Sequence, residues 1–434
     1  MIIVDRELSR RAAAGKPIRV ALVGAGYMGR CIALQILTAV AGMRLVAIAN
    51  RSLARAAQAY REGGVEDVAT ASSAAELERL IELGHCAITD DPRIVCAAGQ
   101  VDAVIETTGD VEFGARACLE AIAHGKHVIL MNAEVDASVG PILKVRADRA
   151  GVVYTYTDGD EPGIGMNLYR LLDSMGYRPV LMGQMKGMLD RYRNPDTQAE
   201  FAARHAQNAA MVASFADGSK MALEAAIMGN ATGFVPQTRG MKGYPCAHVN
   251  DLLQCFKPED FAGGGLVDFA LGAAPHTGAF VMAFNDDARK RQLMGYLKMG
   301  SGPLYLLYTP YHLPPWQIVH SVARAVLFQD ATVTPRGAPV CDTIAHAKRD
   351  LKAGERLDGM GGFTCYGLVE RYATCRRADY LPMAISVDCV LNRAIAKDQP
   401  LRYADVKLPP DRTCDRLRDE QTRHFPVVGA EVTA

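Results

Sequence analysis

Three carboxylates fall within four residues in Asp158-Gly159-Asp160-Glu161, and Pro162-Gly163 follow. A core strand cannot carry such a run, because buried like charges repel and Pro cannot donate to a ladder. The segment therefore reads as a rigid acidic turn. Asp160 and Glu161 are suited to holding a divalent ion such as Mg or Mn, or to orienting substrate hydroxyls. They suit equally the start of a helix expected over 164–175, where acids complement the helix dipole. Lys186 closes the apolar run Val180-Leu-Met-Gly-Gln-Met-Lys186, a predicted strand ending at Gly187. Its ammonium can polarise or protonate a carbonyl oxygen during hydride transfer, or grip a phosphate as a point charge. A solvated lysine at a strand end is the plain alternative.

Further along, His312 sits between Tyr311 and two prolines, so its loop should be stiff. It can relay a proton or hydrogen-bond a nicotinamide amide, although an isolated histidine is more often structural. Lys298, in the glycine-rich Lys298-Met-Gly300-Ser-Gly302, completes the catalytic candidates. Asn230 and Thr232 either hydrogen-bond a polar substrate or cap a turn. The basic strip Arg239-Gly-Met-Lys242-Gly suits a phosphate or carboxylate, or is a mobile surface loop. Asp217-Gly218 predicts a hairpin turn with antiparallel strands around it.

These groups need a hydride carrier, and the N-terminal part supplies a candidate site for one. Ile18-Arg-Val-Ala-Leu-Val reads as a buried parallel strand, and Gly24-Ala-Gly26-Tyr27-Met28-Gly29 leads from it into a helical pattern. Gly24 makes the tight turn, Gly26 lets backbone approach a pyrophosphate, and Gly29 lets helix and strand pack closely. The helix start then offers N–H groups and a positive dipole end to the phosphates. The second strand ends in Asn50-Arg51-Ser52, where an NAD site usually carries an acid for the ribose 2′-hydroxyl. Arg51 can pair with a 2′-phosphate and Ser52 can donate to it, which favours NADP over NAD. The carboxyl ends of later strands add Thr107, Thr108, Gly109, Asn132 and Glu134 as cofactor-facing. The stretch from about 53 to 95 exceeds one simple crossover and predicts extra helices.

The chain has 434 residues, 49% of them apolar, with 48 Lys plus Arg balancing 48 Asp plus Glu. At roughly 150 residues per domain this suggests three domains. Zero net charge argues against a large nucleic-acid footprint. The eleven cysteines include no CxxC pair, which fits reduced thiols in a cytoplasmic protein. No uncharged apolar run is long enough to predict a membrane span. The reading is an α/β chain: a doubly wound parallel Rossmann domain over 1–157, an α+β substrate and dimerisation domain over 158–335, and a small β module over 336–434.

The segments VALVGAGYMG, VDAVIETTGD and AIAHGKHVILMNAEVD, with Asn132, resemble the homoserine dehydrogenase superfamily. GDEPGIGMNLY, DGSKMALEAAIMGNATGFVP, KMGSGPLYLLYTPYHL and LKAGERLDGMGGFTCYG extend the resemblance to a subgroup with a C-terminal SAF domain, a β-clip. That subgroup includes enzymes similar to 1-deoxy-D-xylulose 5-phosphate reductoisomerase. The resemblance implies an NADP-dependent oxidoreductase working on a polyol, sugar phosphate or sugar acid, with reductoisomerase chemistry foremost. Oxidation or oxidoisomerisation of an aldonate such as apionate, or of a homoserine-like hydroxy acid, is the alternative. A dinucleotide-sensing protein without catalysis is a further one. It also implies a homodimer or homotetramer, and a helix over 317–328 that packs back on the nucleotide domain. Where homoserine dehydrogenases carry Asn-Lys after the fifth strand, this chain has Asn132-Ala133.

Overall fold

The computed structural model describes residues 4–427. The chain divides into two compact units. The first gathers the residues up to Gly159 with Leu313–Thr334 and Arg412–Gln421. Its sheet has seven strands: β1 (Ile18–Val23), β2 (Met43–Ala49), β3 (Val68–Thr70), β4 (Cys86–Thr89), β5 (Ala103–Glu106), β6 (His127–Leu130) and β7 (Tyr154–Tyr156). They run in the order β3-β4-β2-β1-β5-β6-β7, and every pair is parallel. A parallel sheet is covered on both faces, and β1, β2, β5 and β6 are accordingly buried along nearly their whole length. The extra helices expected between 53 and 95 are Leu53–Glu62, Ala74–Glu82 and Pro92–Ala97. Ile318, Val319 and Val322 of the helix Pro314–Phe328 join the core of this unit beside Ile32 and Ile36.

The glycine loop is set by close approach. Gly24 has φ +104°, and a Cβ there would stand 2.8 Å from Thr107 Oγ1. A Cβ on Gly29 would stand 2.2 Å from the Gly24 carbonyl oxygen, so the helix Tyr27–Ala39 can seat on the turn only with glycine there. Around Gly26 the space is open, with nothing within 4 Å of a Cβ.

The second unit combines Asp160–His312 with Pro335–Asp411. Its mixed sheet contains β8 (Arg178–Lys186), β9 (Val235–Pro236), β10 (Tyr244–Pro245), β11 (Leu266–Leu271), β12 (Ala279–Phe284) and β13 (Leu304–Thr309). The order is β10-β11-β8-β12-β13, with β9 also on β11. Beta8 is parallel to β11 and antiparallel to β12. The helices Glu161–Ser174 and Ser219–Thr232 pack on this sheet. Val180, Phe280, Met282 and Leu306 share a core with Val249, Leu252, Phe256 and Phe261.

One local expectation fails. Asp217-Gly218 does not turn a hairpin; it starts the fourteen-residue helix Ser219–Thr232. Gly218 takes the left-handed conformation (φ +82°), and Asp217 Oδ1 accepts a hydrogen bond from Ser219 N at 2.7 Å. The residues that follow, rich in Ala, Met, Leu and Glu, are good helix formers. The helix is buried on all sides, so no amphipathic stripe marks it in the sequence.

Residues 335–411 add two antiparallel pairs, β14 (Cys341–Ala347) with β15 (Cys365–Arg371) and β16 (Val390–Leu391) with β17 (Val406–Lys407). Leu351, Leu381, Ile385 and Leu401 form a small core there. Among the described residues no helix is long and apolar enough to cross a membrane.

Overpacking at the glycine loop should cost about 1–3 kcal/mol. Gly29→Ala is therefore expected to lower the melting temperature and to weaken dinucleotide binding, read by calorimetry and by quenching of protein fluorescence on NADPH addition. An unchanged affinity would mean the loop does not hold the cofactor.

Candidate functional site

The second unit folds the acidic turn into a buried cluster of charge. Asp160 occupies the N-cap position of the helix Glu161–Ser174 with extended backbone, but its side chain makes no capping hydrogen bond. The carboxyl group is hydrogen-bonded to that of Glu161 instead. Both residues are buried. Lys186, the last residue of β8, brings Nζ to 3.4 Å from Glu161 Oε1. His312 Nδ1 lies 3.8 Å from the same oxygen and 2.6 Å from Thr277 Oγ1. One carboxylate oxygen thus faces the Lys186 ammonium and the His312 imidazole, which come from distant parts of the chain.

Electrostatics follow from this packing. Burial, together with the neighbouring Glu161 charge, raises the Asp160 carboxyl to about 6. Burial would raise Glu161 too, but Lys186 and His312 outweigh it and hold that carboxyl down at about 2. Lys186 is raised: burial acts against its charge, and Glu161 and Glu224 overcome that. The pair therefore offers one proton-holding carboxyl and one fixed anion, the division of roles that acid–base chemistry uses.

Two members of the cluster were not singled out in the sequence. Glu224, on the helix Ser219–Thr232, is pushed well above the carboxylate range by burial and by Glu161 and Asp160. Its Oε2 is buried and has no hydrogen-bond partner among the described residues. Lys220, one turn earlier, places Nζ 3.8 Å from Glu224 Oε1 and acts electrostatically on Asp160. The signal was present as charged residues in an otherwise apolar run, but the hairpin reading hid their helical spacing.

Asp160, Glu161 and His312 each offer a ligand atom, and these atoms lie within 4.8 Å of one another. Two oxygens and one imidazole nitrogen form a donor set that fits a divalent cation such as Mg or Mn.

The remaining candidates are placed elsewhere. Asn230 accepts from Val340 N and Cys341 N and donates to Cys341 O, all within the scaffold. Thr232 Oγ1 donates to Met228 O and accepts from Phe234 N at the helix end. Arg239 is paired with Glu370 and stacked on Tyr380, and Lys242 lies over the Tyr244 ring. Lys298 is exposed in a left-handed turn (φ 63°), with no side-chain ion pair or hydrogen bond among the described residues. These five were expected at substrate or in catalysis; the structure gives four of them scaffold partners and leaves Lys298 in solvent.

In the first unit the cofactor candidates converge on the carboxyl ends of β1, β2, β5 and β6. Tyr27 is exposed and Met28 half-buried on the first turn of their helix. Asn50 Oδ1 accepts from Ala25 N at 3.0 Å and Nδ2 donates to Ser52 O at 2.9 Å, so Asn50 braces the glycine loop. Ser52 caps the helix Leu53–Glu62 and Arg51 is exposed beside it. Thr107 Oγ1 donates to the carbonyls of Val23 and Gly24 at 3.1 Å each. Gly109 is left-handed (φ 68°). Asn132 caps the helix Ala133–Ala150, and Glu134 is buried in its first turn. Glu106, missed in the sequence, binds Thr108 N and Oγ1; burial raises its carboxyl to about 7.

Comparison with known proteins gives two family matches. Residues 18–130 match the oxidoreductase family with an NAD-binding Rossmann fold, and residues 159–316 match the catalytic domain of oxidoreductase DRL. The sequence matches no curated protein. Among solved structures, a probable dehydrogenase from Thermotoga maritima is 12% identical over 74% of this chain and 90% of that one, with a TM-score of 0.42. An apo scyllo-inositol dehydrogenase from Lactobacillus casei is 13% identical over 71% and 87%, with a TM-score of 0.41. A putative myo-inositol dehydrogenase from Sinorhizobium meliloti is 14% identical over 72% and 87%, at 0.40. Likeness at this level does not reach substrate or residue roles.

The Asp160 shift makes a pH prediction. The folded protein holds this proton more tightly than the unfolded chain, so stability falls as pH rises from 3.8 to about 6. Glu161 acts in the opposite sense: its contribution is present above 4.5 and is lost as pH falls toward about 2. Asp160→Asn should flatten the decline of melting temperature between pH 4.5 and 6. A variant with the wild-type slope would show that Asp160 does not carry the proton.

Proposed function

We propose that this chain, an NAD(P)-dependent oxidoreductase with an NAD-binding Rossmann domain and a DRL-type catalytic domain, reduces the carbonyl group of a sugar phosphate or a related polyhydroxy carbonyl compound. A 1-deoxy-D-xylulose 5-phosphate reductoisomerase reaction is the foremost form of that activity. The carrying observation is the single Glu161 oxygen facing both Lys186 and His312 beside the proton-holding Asp160.

Bound dihydronicotinamide supplies the hydride. Lys186 then does the work a developing alkoxide requires: its ammonium, fixed by Glu161, stabilises the oxygen and donates the proton that completes the alcohol. Asp160, raised to about 6, sits in the same cluster as the group placed to restore that proton. His312, held by Thr277 at 2.6 Å and lying 3.8 Å from the same Glu161 oxygen, orients a substrate hydroxyl. A divalent cation held by Asp160, Glu161 and His312 would supply Lewis-acid polarisation of adjacent substrate oxygens.

NADP is the preferred carrier in this reading. Arg51 stands exposed at the end of β2, and the N-terminus of the helix Leu53–Glu62 follows at once. A cation beside a helix N-terminus suits a 2′-phosphate.

Oxidation of NADPH on adding 1-deoxy-D-xylulose 5-phosphate with Mg or Mn is the expected outcome, and EDTA should suppress it. Lys186→Met should lower kcat about 10²–10³-fold, the effect of losing one donor to a developing oxyanion. Turnover of an aldonate with NADP+ instead would redirect the substrate reading. Full activity of Lys186→Met would remove the mechanism. Separately, Arg51→Ala should raise KM for NADPH about 10–100-fold, as expected for a lost charge-assisted bond, with little change for NADH.

A further inference from the structure

The helix Ser219–Thr232 carries Lys220 and Glu224 into the carboxylate cluster, yet it is started by an irregular Asp-Gly turn. What holds that start is residue Lys348, which follows β14 directly. Its Nζ lies 2.8 Å from Asp217 Oδ2, with side-chain exposures of 3% and 0%. The same ammonium donates to Arg193 O at 2.5 Å and Gly362 O at 2.7 Å. Two of its protons are therefore donated to carbonyl oxygens, and its charge is paired with the Asp217 carboxylate. Asp217 in turn accepts from Ser219 N through its other oxygen.

The strands on either side repeat the hold. Gly367 N of β15 donates to Ser219 Oγ at 2.7 Å, and Thr343 Oγ1 of β14 donates to Ala222 O at 3.0 Å. At the far end Asn230 is bonded to Val340 and Cys341. Residues 335–371 thus touch the first, second and last turns of this one helix. A buried ion pair is weak evidence for stability, because desolvation offsets its attraction. Its better-attested use is to specify one arrangement, and here that arrangement sets where Lys220 and Glu224 point.

We propose that Lys348 is a positioning residue: through Asp217 it fixes the register of the helix Ser219–Thr232, and so keeps Lys220 and Glu224 packed against Asp160 and Glu161. The β-strand segment after residue 335 is then part of the site's framework. The catalytic consequence rests on the cluster being the reacting centre; the positional one does not.

The test uses the full chain. Three variants are compared with wild type: Thr343→Val, Lys348→Arg, and the charge-neutral double Asp217→Asn with Lys348→Met. The double avoids leaving a lone buried charge. Brief acetylation with acetic anhydride, read by mass spectrometry against exposed Lys298 as reference, reports the packing of Lys220 and Lys186. Severalfold faster labelling of Lys220 in the double variant, with cooperative melting retained, is the expected result. Lys348→Arg should restore protection, and Thr343→Val should give a smaller change of the same sign if the double variant does not fold. With 1-deoxy-D-xylulose 5-phosphate and NADPH, kcat should fall about 100-fold at little-changed KM, the scale for an ångström of misplacement. Unchanged Lys220 labelling in folded variants overturns the proposal. Faster labelling with full kcat overturns the catalytic consequence. If Glu161→Gln leaves turnover intact, the reading of the cluster fails, and the labelling still decides the role of Lys348.

Discussion

Burying charge is the constraint around which the second unit is built. Asp160, Glu161 and Glu224 are withdrawn from water within one cluster, and each ionised carboxylate there needs a cation or a proton. The chain meets this with the ammonium groups of Lys186 from a strand end and Lys220 from a helix start, and it brings the His312 imidazole from a loop beside them. Four elements separated in sequence are thereby tied to one small volume. Burial raises Asp160 and Glu224, while Lys186 and His312 hold Glu161 down.

The first unit obeys a different constraint, steric rather than electrostatic. Its glycine loop is shaped by the distance between backbone atoms at Gly24 and Gly29, and Thr107 and Asn50 lock it from both sides. Open space around Gly26 is what remains for a phosphate to approach. Several residues assigned to the cofactor thus serve the loop first. Asn50 and Thr107 shape the surface that binding requires, while Arg51 stays exposed beside it.

The two constraints also explain how the structure places the candidate residues. Asp160, Glu161, Lys186 and His312 were each recognisable singly, because a charged or titratable residue next to Gly or Pro in an apolar context is hard to accommodate otherwise. Asn230, Thr232, Arg239 and Lys242 looked similar but are tied into the framework by Cys341, Met228, Glu370 and Tyr244. Polar residue type alone does not separate these cases. The difference lies in which partners the fold brings to each: scaffold groups for these four, one another for the cluster residues.

By itself the sequence determined the parallel α/β nucleotide fold, since β-branched runs, G-x-G-x-x-G and strand–helix alternation are local patterns with local causes. It also determined that an acidic turn opens the second unit. The tertiary structure alone decided that Asp160, Glu161, Lys186 and His312 meet at one oxygen, and that Glu224 and Lys220 join them. It also decided that Asp217 starts a helix braced by Lys348. The physical reason is range. Backbone preference and hydrophobic period act over a few residues, while the pairing of buried charges depends on which distant elements the core brings together. An all-round buried helix leaves no period to read, so its charged residues become interpretable only once their partners are in place.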